Sequence, residues 1–250
     1  MDKTKIFAHR GASGYAPENT LEAFALAVSQ KADGIELDVQ LTRDGVPVVI
    51  HDETIDRVTS KTGYVKDYTL KELKKLTVME KRFPAYPSSK IPTLEEVLDA
   101  VKASGIWVNI ELKTGIYWYP EIEQKVAQIV QKCDMEHRVI YSSFNHYSIQ
   151  KIKQIVPEAE TAYLYSDVIW NVTDYAKNTK VDGIHPAVYH IKMADFLNEY
   201  IKSGLNVRVW TVNDTTDMKW LIEAGVTAVI TNYPDVAVKI REQRENQNHA

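Results

Sequence analysis

The sequence predicts an α/β fold, a single (β/α)8 TIM-type barrel with a small insertion after the second strand. Strand and helix signals alternate along almost the whole chain. Eight short apolar runs read as strands: Lys5–His9, Gly34–Val39, Trp107–Leu112, Val139–Ser142, Thr161–Leu164, Gly183–His185, Val207–Val212 and Ala228–Thr231. The length, 250 residues, is about that of such a barrel. One stretch, about 52–91, breaks the repeat and reads as the insertion, leaving 1–240 as one barrel domain and 241–250 as a polar tail expected to fray. A doubly wound open sheet is the other architecture that this alternation allows.

Between the strands, apolar residues recur at helical spacing. Leu21, Phe24, Ala25 and Val28 form one stripe, with Asn19 and Glu22 spaced as a capping box. Thr93 and Glu96 repeat that spacing before Val97, Leu98 and Val101. Ile149, Ile152, Ile155 and Val156 form a third stripe, and Leu221-Ile222 closes a helix before Gly225. The insertion carries one amphipathic signal at Leu70–Leu76, with the prolines Pro84, Pro87 and Pro92 at or near its end.

The run Val46–His51 follows Gly34–Val39 after too few residues for a parallel crossover, which needs a dozen or more. The intervening Asp44-Gly45 marks a hairpin instead. Folding back there brings His51 beside Glu36 and Asp38.

Composition excludes several function classes. The chain is 44% hydrophobic and 26% charged with a formal charge of −4, ordinary for a globular enzyme and without a basic field for nucleic acid. No stretch approaches the roughly 20 apolar residues of a membrane span. Met1-Asp2-Lys3-Thr4 runs into a strand without the apolar core of a secretory signal. The lone Cys133 has no internal disulfide partner and reads as a helix-end residue. These features favour the cytoplasm, and none sets an oligomeric state.

Strand parity carries the chemistry. In Gly34–Val39, Ile35, Leu37 and Val39 share one face and Glu36 and Asp38 the other. Asn109-Ile110-Glu111-Leu112-Lys113 repeats the pattern, with Ile110 and Leu112 opposite Glu111 and Lys113. The apolar face meets the surrounding helices, so the three acids point into the barrel. There they repel one another unless a cation sits among them. An all-oxygen donor set points to a hard cation, Mg2+ or Ca2+, with Mn2+ also suited. Against this stands the reading in which the acids lie on a solvated face or pair with Lys113 and Arg10. Repetition on two strands weighs against it.

Two histidines join the acids. His9 ends the first strand and His51 the hairpin strand, both where barrel enzymes place their active sites. One base, one acid and a divalent cation suit phosphoryl transfer.

His9-Arg10-Gly11, Pro17-Glu18-Asn19-Thr20, Glu36-Leu37-Asp38-Val39, Asp44-Gly45 and Val48-Val49-Ile50-His51-Asp52 resemble the ordered motifs of glycerophosphodiester phosphodiesterases. Glu111-Leu112-Lys113 and Val207–Asn213 resemble the family's later strands, so the likeness runs from about residue 6 to 235. It implies a TIM barrel with an insertion after the second strand. The implied substrates are small glycerophosphodiesters such as glycerophosphocholine or glycerophosphoethanolamine, cleaved to sn-glycerol 3-phosphate and an alcohol. It further implies a divalent cation on Glu36, Asp38 and Glu111, His9 and His51 as acid and base, and Arg10 and Lys113 on phosphate oxygens. Trp210 would pack against the glycerol or the leaving group, or else fill the barrel core.

Two rival functions stay open. One is lysophospholipase D-type cleavage of monoacyl lipids, which the apolar loop Ile116-Tyr117-Trp118-Tyr119 would suit. The other is a non-catalytic phosphodiester-binding barrel, against which the intact set of acids and histidines argues. Of the remaining candidates, His185 and His146 could reach the mouth but read as structural residues or as supports behind the site; His137, His190 and His249 read as surface residues, and Tyr86, Tyr117 and Tyr119 as rim groups.

Overall fold

In the computed structural model, which describes residues 3–79 and 82–248, nine strands form one sheet. They are β1 (Lys5–His9), β2 (Gly34–Leu41), β3 (Pro47–Val49), β4 (Trp107–Leu112), β5 (Val139–Ser143), β6 (Glu160–Tyr165), β7 (Gly183–Pro186), β8 (Asn206–Val209) and β9 (Ala228–Thr231). The order is β1-β9-β8-β7-β6-β5-β4-β2-β3, and β1 also pairs with β2. That pairing closes eight parallel strands into a (β/α)8 barrel and excludes the open sheet. Readings placed on Met1, Asp2 and His249 lie outside the described residues.

The expected alternation sorts the core. Ile35, Leu37, Val39, Ile110 and Leu112 are buried in a cluster shared with Phe24 and Ala27 of the helix Leu21–Ser29 and Leu94, Val97 and Leu98 of the helix Leu94–Val101. The barrel interior holds a separate apolar floor of Phe7, Ile140, Ala162, Ala228 and Ile230. Phe7 stands opposite Gly34 in the register, where a Cβ would lie 2.3 Å from the Phe7 ring. Glycine there lets the ring cross the barrel, and Glu36, two residues further along β2, rises above this floor toward the mouth.

The hairpin forms as its turn residues require. Gly45 adopts φ 74°, and β3 pairs antiparallel with β2 through Val39–Val49, Gln40–Val48 and Leu41–Pro47. Beyond β3, the Ile50 amide donates to the Asp38 carbonyl at 2.9 Å, which sets His51 beside the acidic strand. The outer side of the hairpin and the insertion share a small core of Val48, Ile50, Ile55, Val58, Val65, Leu73, Val78 and Ile91. The insertion helix is only Leu70–Leu73, shorter than the periodicity predicts.

Three expectations change. The buried face of Leu21–Ser29 is Ala23, Phe24 and Ala27, while Leu21 is exposed. Its cap is Thr20, whose hydroxyl accepts from the Ala23 amide, so Asn19 does not cap with Glu22. The segment expected to fray is mostly helix: Pro234–Asn248 is continuous. Arg241 in it is buried and donates to the Thr4 carbonyl at 2.9 Å and pairs with Asp33. The polar composition hid an arginine that covers the barrel's N-terminal end. No helix among the described residues is long and apolar enough to cross a membrane.

The Thr93–Glu96 capping box forms in full, with Thr93 Oγ1 accepting from the Glu96 amide at 3.1 Å and Glu96 Oε2 accepting from the Thr93 amide at 2.7 Å. Thr93→Ala is therefore expected to cost about 1 kcal/mol in chemical denaturation, with kcat unchanged. An unmoved denaturation midpoint would show that the cap contributes nothing.

Candidate active site

The barrel mouth gathers the acids first. Ligand oxygens of Glu36, Asp38 and Glu111 all lie within 4.8 Å of one another, and all three residues are buried. Parallel pairing places Asp38 directly beside Glu111 in the register. Burial, compounded by repulsion from Asp38 and Glu111, raises the Glu36 carboxyl well above the usual range. Burial and the charge of Asp38 likewise raise Glu111, to about 7, against the pull of Lys113. Burial would also raise Asp38, but Arg10, with His51 and Lys113, outweighs it and holds that carboxyl below the usual range. Asp38 Oδ1 is buried without a hydrogen-bond partner. Crowded carboxylates, two of them pushed toward protonation, and an unpartnered oxygen fit a divalent cation among these three side chains.

Basic groups surround the acids. At the end of β1 the chain turns sharply, with φ 54° at Arg10 and 80° at Gly11. A Cβ at residue 11 would meet the Ala23 backbone at 2.7 Å, so glycine is required. The turn aims the Arg10 amide at Glu36 Oε2, 2.9 Å away. The Arg10 guanidinium lies 3.3 Å from Asp38 Oδ2 and 3.0 Å from Glu18 Oε1. Lys113 Nζ lies 3.1 Å from Glu111 Oε1. Burial would lower both bases, but Asp38 and Glu18 outweigh it at Arg10, and Glu111 and Asp38 at Lys113, so both stay charged.

The two histidines have opposite partners. His9 Nδ1 donates to Asn232 Oδ1 at 2.7 Å, an uncharged oxygen. Burial, then the nearby Arg10 charge, lowers the His9 ring to about 4. His51 Nδ1 donates to the Asp52 carboxylate at 2.6 Å. Its loop is pinned from inside the barrel by Gln40, whose Nε2 reaches the carbonyls of Ile50, His51 and Asp52 at 3.1, 3.0 and 2.7 Å. Trp210, just past β8, donates from Nε1 to the His185 carbonyl at 2.8 Å and meets Phe144 edge-on at 5.6 Å between ring centres.

All eight side chains singled out from the sequence thus lie on elements that reach the mouth. Sequence reasoning gave no role at the site to Glu18, Asn19, Gln40, Asp52, Arg57 or Asn232. Asn19 Nδ2 donates to Asp38 Oδ2 at 2.8 Å; its helix-start spacing disguised it as a cap. Asn232 is 223 residues from His9, and nothing local announces it. Glu18 and Asp52 stood inside the motifs, and that placement was the available signal.

Other candidates lie elsewhere. His185 is buried beside Arg208 at 3.4 Å, and His146 stacks on Tyr163 at 3.9 Å. His190, expected at the surface, is fully buried and stacks on Tyr165. Tyr119, expected at the rim, is instead buried in the apolar core, where its hydroxyl is satisfied by donating to Gln40 Oε1 at 2.9 Å.

The family model described as "Glycerophosphoryl diester phosphodiesterase family" matches residues 9–236. The chain belongs to that family. It is 42% identical over 238 residues to a glycerophosphodiester phosphodiesterase of Caldanaerobacter subterraneus, covering 95% of this chain and 98% of that protein. It is 44% identical over 246 residues to one of Bacillus altitudinis, covering 96% and 99%. A phosphodiesterase of Oleispira antarctica, solved in complex with the product sn-glycerol-3-phosphate, superposes with a TM-score of 0.89 at 28% identity. It covers 96% of this chain and 97% of its own. As a family member the chain is an enzyme, a glycerophosphodiester phosphodiesterase.

Proposed function

We propose that this enzyme hydrolyses small glycerophosphodiesters to sn-glycerol 3-phosphate and an alcohol, using one divalent cation on Glu36, Asp38 and Glu111. The observation that carries the reading is the buried acidic triad flanked by two histidines whose ring partners differ in charge. The product bound by the Oleispira antarctica phosphodiesterase supports the choice of sn-glycerol 3-phosphate. A bound Mg2+, Ca2+ or Mn2+ would supply positive charge to the phosphate oxygens.

The chain's own residues supply the rest. Arg10 and Lys113 hold phosphate oxygens and balance the charge that builds up in transfer. His9, donating through Nδ1 to a neutral amide oxygen, keeps Nε2 as an acceptor and takes a proton from the attacking water. His51, whose ring Asp52 holds through Nδ1, gives a proton to the departing alcohol from its other nitrogen. Trp210 has its N–H committed to the His185 carbonyl, so it offers ring surface to the glycerol or leaving group.

A panel of glycerophosphodiesters assayed after chelation, with Mg2+, Ca2+ or Mn2+ restored singly, tests this reading. Release of sn-glycerol 3-phosphate only when a divalent ion is restored is the expected result; full turnover in excess chelator would overturn it. A second reading rests on the loop after β4, where Ile116 is 70% and Trp118 59% exposed, an apolar surface suited to an acyl chain. Faster cleavage of lysophosphatidylcholine than of glycerophosphocholine would favour that lysophospholipase D-type activity.

A further inference from the structure

The insertion places one arginine across both halves of the site. Arg57 Nε and Nη2 donate to the two oxygens of Asp52 at 2.6 and 3.0 Å. Its Nη1 and Nη2 donate to the two oxygens of Glu18 at 2.9 and 2.7 Å. Each carboxylate carries a second partner. Asp52 Oδ1 accepts from His51 Nδ1 at 2.6 Å, and Glu18 Oε1 accepts from Arg10 Nη1 at 3.0 Å. One planar guanidinium therefore links His51 and Arg10, residues that come from different loops and do different work.

We propose that Arg57 is a positioning residue for the hydrolysis, acting through Asp52 on the His51 ring and through Glu18 on the Arg10 guanidinium. This rests on the roles proposed above for His51 and Arg10.

The backbone around Arg57 is anchored. Ile55 and Val58 are buried in the insertion core, the Ile55 amide donates to the Gly63 carbonyl at 3.0 Å, and the Thr59 amide to the Ile55 carbonyl at 3.0 Å. The fork is thus held from a packed element, while the Asp52 side chain is 28% exposed and without it would be held through the His51 ring alone. A turned Asp52 releases the His51 ring. Glu18, left with Arg10 as its remaining partner, draws that guanidinium away from Asp38, 3.3 Å away. Both displacements are small, and small misplacements of reacting groups are costly. Lysine cannot replace this geometry, because an ammonium is a point charge that lacks the rigid fork needed for two bidentate pairs. The insertion, on this view, is the part of the fold that fixes the relative placement of proton donor and anion seat.

The test is steady-state kinetics of the full chain on glycerophosphocholine with divalent ion present. The variants are Arg57→Met, Arg57→Lys, Asp52→Asn, Glu18→Gln and the doubles of Arg57→Met with each of the last two. Arg43→Met, which breaks the exposed Arg43–Glu72 pair, is the control. Arg57→Met is expected to lower kcat about tenfold to a hundredfold, the usual cost of losing a group that orients a site residue, and to raise KM. Its thermal midpoint should match that of Arg43→Met. Arg57→Lys should recover little, and methylguanidinium added to Arg57→Met should recover part of kcat.

The kcat loss should be non-additive with Asp52→Asn, and the KM rise non-additive with Glu18→Gln, because each pair acts as one unit. Unchanged kcat in Arg57→Met, losses that multiply in both doubles, or a loss matched by a fall in thermal midpoint would each overturn the proposal. If His51→Asn and Arg10→Met keep full activity, the underlying functional reading fails instead. If those two lose activity while Arg57→Met does not, only the positioning role falls.

Discussion

Asp38→Asn and Glu111→Gln are each expected to lower kcat/KM by about 10² to 10⁴ and to raise the divalent-ion concentration needed for half-maximal rate. The magnitude follows from the several kcal/mol that a metal's charge contributes to a transition state, at about 1.4 kcal/mol per tenfold in rate. The two variants should part company in chelator. Glu111 is pushed up to about 7 by burial and Asp38, so at pH 8 its charge is strained in the metal-free fold, and the neutral isostere should raise the melting temperature. Asp38 is held below its usual range by Arg10 despite burial; its charge stabilises the fold, and Asn should lower the melting temperature. Wild-type metal requirement in both variants would remove the triad from the reaction.

The same shifts set a pH dependence. Glu36 and Glu111 have folded-state values above their unfolded ones, so the metal-free fold binds more protons than the unfolded chain. Their contribution is present below about pH 4.5, the unfolded value, and is lost as pH rises through about 7 for Glu111 and well above the usual range for Glu36. His9, lowered to about 4, acts in the opposite sense and destabilises the fold as pH falls from about 6.5. Comparing melting temperatures with and without divalent ion at each pH cancels much of that background. The increment from the ion should be larger at pH 8 than at pH 5.5, because the ion takes the deprotonated carboxylates. An increment independent of pH would contradict the assignment of these acids as its ligands.

The legible part of this molecule is the part set by period and turn chemistry. Alternation at Ile35–Val39 and Ile110–Leu112 shows which face of each strand is apolar, and the polar remainder is the site. Asp44-Gly45 forces a hairpin, which puts His51 within reach of β2. What escaped the sequence is held by polar contacts between distant segments. Asn19 sits where helix caps sit, and only coordinates show its amide on Asp38. Asn232 meets His9 because β9 pairs with β1, a closure that no local pattern encodes. Arg57 lies in a stretch without periodicity, where an arginine reads as solvated. Arg241 misled for the reverse reason, since its neighbours are polar while its guanidinium is buried against Thr4 and Asp33. Hydrophobic patterning sees the cluster of carboxylates but not the hydrogen bonds that orient it.

Replacing either His9 or His51 by Asn should lower kcat by about 10² to 10⁴, the range for losing general acid or base help, while KM moves much less. On the proposed reading, grip on the diester comes from Arg10, Lys113 and the cation that the acidic triad would hold, and these substitutions leave all of them in place. The losses should be strongly non-additive, since either proton transfer alone leaves the reaction incomplete. The division of labour follows from the ring partners. Asn232 is neutral and fixes His9 with a free Nε2, and burial with Arg10 keeps that ring uncharged above about pH 4, as a base requires. Asp52 accepts from His51 Nδ1 and so fixes that ring with its other nitrogen free for the leaving group. A nitrophenyl diester separates the two, because its leaving group departs without being protonated. On that substrate His51→Asn should approach the wild-type rate, whereas His9→Asn should stay slow because water must still be deprotonated. The reverse pattern would exchange the roles, and equal severe losses would refute any division between them. Unchanged turnover of glycerophosphocholine in either variant would take that histidine out of the mechanism altogether.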